Sequence, residues 1–149
     1  VQPVIHALLQ AQEEIHHLME GFPTNLLWER PAEMASPAFH LQHMAGVLGR
    51  MASYAKGESL SQAQMKYLKK EGTVDPELTT ALQVAKIDKP ISLFLKSIAQ
   101  IDPNSVAEFR GVGRKELTST VAGLLFHAAE HTQRHFGQLL VTVKVLMAK

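Results

Sequence analysis

From Leu117 to Leu139 apolar side chains recur at steps of three or four, through Val121, Leu124 and Ala128, but two of the later positions in that series are His131 and His135. This is the period of one face of an α-helix, the face that turns toward a core. His127 stands one turn earlier, so the segment His127-Ala-Ala-Glu-His131-Thr-Gln-Arg-His135-Phe-Gly-Gln138 repeats imidazole every fourth residue. Side chains four apart share a helix face, and neighbours in the series can reach one ion. Imidazoles in core positions need partners. A shared metal ion would satisfy both, as would hydrogen bonds to buried carbonyls or carboxylates.

Helical period runs through the rest of the chain as well, with no alternation of apolar and polar residues long enough to argue for a sheet. The sequence therefore predicts an all-α protein, a four-helix bundle with a short extra helix between the second and third main helices. The first helix is expected from about Pro3 to Glu20, with Ile5, Leu8, Ile15, Leu18 and Met19 inward and a stop at Gly21 and Pro23. Ser36-Pro37, a hydroxyl cap followed by proline, opens the second, which carries the stripe Leu41, Met44, Leu48 and Met51 to Gly57. Ser61 and Gln64 have capping-box spacing, so the short inserted helix runs from there to Gly72. The third long segment opens at Asp75-Pro76 with Leu78, Leu82, Ile91, Leu95 and Ile98 inward, and Pro90 is expected to kink or split it. A loop from Asp102 to about Lys115 leads into the fourth long helix, from Thr118 or Ser119 onward.

Length and composition narrow the function. A chain of 149 residues suits one domain, 1–149. Fifteen basic and 14 acidic residues leave a formal charge of +1 with no like-charge tract, which argues against nucleic acid and a membrane surface as partners. There is no cysteine, so a metal must be held by nitrogen and oxygen. Without a membrane-span pattern or a signal pattern, a cytoplasmic location is the default expectation.

A catalytic metal site needs about three protein ligands, and the third must come from another helix. The second helix offers Phe39-His40-Leu41-Gln42-His43-Met44. His43 is the better candidate, lying between Leu41 and Met44 and one turn before Val47, with His40 as its rival. First-helix His6, His16 and His17 have no metal-ligand spacing and read as solvent-facing or rim residues.

At this point the residues resemble a known family. Ser36-Pro-Ala-Phe-His-Leu-Gln-His43-Met together with His131-Thr-Gln-Arg-His135-Phe-Gly-Gln138 is similar to the pattern of the DinB-like and YfiT-like superfamily of metal-binding four-helix bundles. The resemblance covers most of the chain, through helix order, the insert and the long last helix. It implies that the family's single histidine on the second helix is His43 and that its late pair is His131 and His135. It also implies activities such as thiol S-transfer, thiol-dependent isomerisation or hydrolysis. Phe136, where Arg often precedes the Gly-Gln step, and Pro90 depart from the usual pattern and alter the pocket without touching a ligand.

Three neighbours of the late pair are read as supports rather than ligands: His40, His127 and Gln138, which could orient an imidazole or a bound water. Gly137 in a helix interior is explained by close approach of another helix, or is simply tolerated. Glu130 is about 100° from His131 around the helix and reads as exposed. Arg110, Arg114 and Lys115 form a solvated loop or one that attracts an anion, and Phe39 packs in the core.

The leading reading is a metal-dependent enzyme in which His43, His131 and His135 hold a divalent ion, zinc or nickel first and iron or copper as alternatives. Open coordination positions would take water or substrate, for thiol-dependent S-transfer or hydrolysis of a small molecule. No residue is assigned to catalysis itself. The substrate is a small molecule, and a low-molecular-weight thiol would have to be added because the chain has none. A homodimer is expected if the outer faces of the second and third helices are rich in apolar residues. The alternative is a non-catalytic bundle that senses or structurally uses its metal, or an interaction module with incidental histidines.

Overall fold

In the computed structural model, which describes residues 1–148, the expected helices appear with local signals at their ends. Helix α1 spans Gln2–Met19. Helix α2 spans Pro37–Ala55, where the Ser36 hydroxyl accepts from the Phe39 amide at 3.2 Å and proline occupies the first turn, whose amide has no helical partner to lose. The inserted helix α3, Gln62–Lys70, opens with a complete capping box: the Ser61 hydroxyl accepts from Gln64 N and the Gln64 side chain accepts from Ser61 N.

The third segment is split into α4, Thr80–Ala85, and α5, Asp88–Ala99. The break precedes Pro90, which sits in the first turn of α5, where a missing amide donor costs little. Ile91 and Ile98 are buried as expected, but Leu82 is exposed and Val84 takes the inward place on α4.

A further departure lies between α5 and the last helix. The expected loop holds an antiparallel hairpin, β1 Phe109–Val112 and β2 Leu117–Thr120, with Phe109 opposite Thr120 and Val112 opposite Leu117. Leu117 is thus an exposed strand residue and not the first member of the helical stripe. The Arg110 side chain donates from Nε to the carbonyl of Ala55 at 2.8 Å and pairs with Glu108, so it closes the end of α2 instead of facing an anion. Helix α6, Val121–Met147, starts on the Thr120 hydroxyl, which accepts from Gly123 N at 3.0 Å.

The four long pieces form a ring: α6 packs on both α1 and α2, and α5 packs on both of them from the other side. Leu8 and Ile15 of α1, Leu41, Met44 and Leu48 of α2, Ile91 and Phe94 of α5, and Leu124 and Leu139 of α6 fill the centre. Burying a large aliphatic or aromatic side chain contributes about 1.5–3 kcal/mol, so this set dominates the stability. No described helix is long and apolar enough to cross a membrane.

Candidate metal centre

The packing of α2 against α6 brings three imidazoles to one place. His43, His131 and His135 each offer a ring nitrogen within 4.8 Å of the others, and all three rings are half-buried. Nε2 of His43 lies 2.9 Å from Nε2 of His131. The ring centroids of His135 are 4.6 Å from His43 and 4.5 Å from His131. Steps of four on α6 and the Ser36 cap that fixes the phase of α2 are the local causes of this meeting.

Around the three rings the remaining contacts are specific. His43 Nδ1 is 2.6 Å from Glu71 Oε2, and the other carboxylate oxygen accepts from Arg50 at 2.7 Å. Phe39 is stacked on His43 with centroids 5.2 Å apart and planes 11° from parallel, so it belongs to the site more than to the core. His40 is buried, with its Nδ1 3.0 Å from Nδ1 of His135. With that proton on His135, the Nε2 of His135 is left bare.

Electrostatics favour neutral rings. Burial and the neighbouring His43 push His40 down to about 4 and His131 to about 4, and the same causes with further help from His131 and His40 push His135 to about 3. Each is therefore uncharged at neutral pH, the state in which imidazole binds a metal.

A carboxylate cannot donate, so His43 carries a proton on Nδ1, and with that ring neutral its Nε2 is bare. His131 then donates from its own Nε2, which leaves the buried Nδ1 of His131 with no partner among the described residues. One ring nitrogen from each of His43, His131 and His135, all within 4.8 Å of one another, makes a donor set that fits a divalent cation with nitrogen ligands.

His127 is part-exposed and pairs with Glu130 at 2.9 Å; Arg134 holds the second oxygen of Glu130. Glu130 is consequently more enclosed than its angular position on the helix suggested, and His127, Glu130 and His131 form a second group of metal-ligating type. The Gln138 side chain is exposed and makes no described hydrogen bond, while its carbonyl accepts from Thr142. Gly137 has open space around it, with nothing within 4 Å of where a Cβ would stand, which overturns close helix approach as its cause. It borders a cleft of about 440 Å³ whose walls include Met34, His40, Arg134 and Gln138.

His6 and His17 are exposed, and His16 is exposed but tied to Asp88 at 2.8 Å, so none joins the cluster. Glu71, Arg50 and the contact of Phe39 were not found by sequence reasoning. A glycine at position 46 inside α2, one turn after His43, was the one available hint of something approaching that helix closely.

A family model for the DinB superfamily matches residues 7–139. The chain belongs to the DinB superfamily. Among solved structures, this superfamily member is similar to a conserved protein from Enterococcus faecalis at 16% identity and a TM-score of 0.77, over 99% of this chain and 97% of that one. At that identity the likeness shows the shared fold. No curated protein matches the chain.

Proposed function

We propose that this chain is a metal-dependent enzyme in which His43, His131 and His135 hold a divalent ion, zinc or nickel first, and a small molecule reacts at the remaining coordination positions. The observation that carries this reading is the convergence of three imidazoles from two helices within 4.8 Å, a set of three rather than four. Three protein nitrogens leave room for a reactant, whereas a fourth protein ligand would close the site. When bound, such an ion supplies Lewis acidity, toward water for hydrolysis or toward an added thiol for S-transfer.

The chain's own residues prepare that chemistry. Burial keeps His131 and His135 unprotonated, Phe39 covers one face of His43, and the cleft beside His40 and Gly137 offers space of small-molecule size. Membership of the DinB superfamily supports metal binding, and the activities implied by the resemblance are the source of the S-transfer and hydrolysis alternatives. The proposal extends to a cytoplasmic homodimer. Of the two outer faces expected to carry apolar residues, the second helix exposes none and the third segment exposes Leu82 and Leu93, while α6 exposes Phe126, Leu140, Val141 and Val145; that longer run supports a second copy on α6.

The test has two arms. Zinc titration of wild type, His131→Ala, His135→Ala and His6→Ala should show sharp loss of binding in the first two variants and none in the third. Zinc-loaded protein should then accelerate either thiol addition to haloaromatics or epoxides, with the thiol supplied, or hydrolysis of esters or amides without it. Equal zinc binding in all variants would overturn the site, and inactivity of the loaded protein across both panels would favour the non-catalytic bundle.

A further inference from the structure

We propose that Glu71 is a positioning residue for His43, delivered to it by the inserted helix α3 across the bare backbone of Gly46; the inference rests on the three-histidine metal reading. Because a carboxylate only accepts, its 2.6 Å contact fixes a proton of His43 on Nδ1 and turns Nε2, bare when the ring is neutral, toward His131. The carboxylate itself is held. Its second oxygen accepts from Arg50 at 2.7 Å, and both side chains are almost fully buried, at 4% and 7% exposure. A buried ion pair of this kind is costly to assemble and costly to break on one side, so the carboxylate has little freedom to turn away.

The insert brings Glu71 there through its own bonds to α2. Gln64 donates to the Gly49 carbonyl at 3.0 Å and the Ser53 hydroxyl at 2.9 Å, the Tyr67 hydroxyl donates to the Gln42 carbonyl at 3.0 Å, and the Gly72 amide donates to the Gln42 side chain at 2.8 Å. Between these contacts lies Gly46. A Cβ on that residue would stand 2.5 Å from Glu71 Oε1, 2.6 Å from Arg50 and 2.7 Å from Tyr67. All three are ends of side chains and could yield, but yielding would move the carboxylate off His43. Glycine is a poor choice for a helix interior, and here its missing side chain is what lets the ion pair lie against α2. The inserted helix is therefore a support that reaches under one metal ligand from outside the bundle.

The test uses the full chain, with zinc as the probe. In ¹⁵N spectra of metal-free wild type, His43 should be the Nδ1–H tautomer, and Glu71→Ala should lose that preference. Glu71→Gln should keep it, because its carbonyl oxygen still accepts. Zinc affinity, measured by chelator competition, should fall about 10- to 100-fold in Glu71→Ala, recover most of that loss in Glu71→Gln, and fall also in Gly46→Ala, where the carboxylate is present but displaced. Since Glu71→Ala strands a buried arginine, the pair R50M/E71M removes both charges and should show the same loss of tautomer and affinity. Zinc affinity within twofold of wild type in Glu71→Ala and R50M/E71M, while His43→Ala loses it, would overturn the proposal, as would an Nε2–H tautomer in wild type. Failure of the underlying reading looks different: zinc binding to His43→Ala as tight as to wild type overturns the site and the role of Glu71 toward an ion together, even where the metal-free spectra still show the Glu71 bond.

Discussion

His40, His131 and His135 titrate well below the ordinary histidine value of 6.5 because burial disfavours their charged forms. Between about pH 4 and 6.5 the unfolded chain therefore binds more protons than the folded one, and stability falls as pH is lowered through that window. Urea unfolding of metal-free protein should show a lower midpoint at pH 5 than at pH 7, and replacing His131 and His135 by leucine should flatten the difference. Metal binding weakens in the same direction, since protons compete for the same nitrogens. Gly137 tests a different property of α6. With a helical backbone and nothing within 4 Å of a prospective Cβ, Gly137→Ala should raise stability by about 1 kcal/mol. A loss of stability on urea unfolding would mean that the open space is filled in solution.

The elements divide by how local their causes are. In α3 the capping box is spelled by two residues three apart, so it was legible in the sequence and formed as expected. Ser61→Ala should cost about 1 kcal/mol, seen as faster hydrogen exchange in residues 62–70 with little change in the buried amides of α6; equal protection would show that docking on α2 alone holds α3. His131 and His135 were legible for the same reason, four residues on one helix. By contrast, β1 and β2 are only four residues each and show no alternation to set against helical period, and the hairpin is defined by pairing across the turn. Glu71 was illegible because it meets His43 across 28 residues of chain, and Arg50 because it meets Glu71 across 21, both through the docking of a separate helix.

For the whole molecule, the ring of α1, α6, α2 and α5 leaves α6 shared by two neighbours and still exposing Phe126, Val141 and Val145 to solvent. An apolar surface of this kind on a long helix is where the proposed second copy would sit. Light scattering at micromolar concentration should give a dimer, and Val141→Glu with Val145→Glu should give a monomer that retains its helical circular dichroism. A monomeric wild type would remove the second copy from the proposal.

His43 and His131 are 88 residues apart along the chain yet have ring nitrogens 2.9 Å apart. In polymer terms they are the ends of a large loop, in a molecule that has no cysteine with which to tie one. A covalent tie across a loop of that size would be worth on the order of 4–5 kcal/mol in the chain-entropy picture. An ion gripping both ends would act as a removable tie, holding the second helix to the last one, and it would add stability by mass action for as long as it favours the folded chain. A chelator should then lower the melting temperature of zinc-loaded wild type reversibly, and leave that of His43→Ala unchanged.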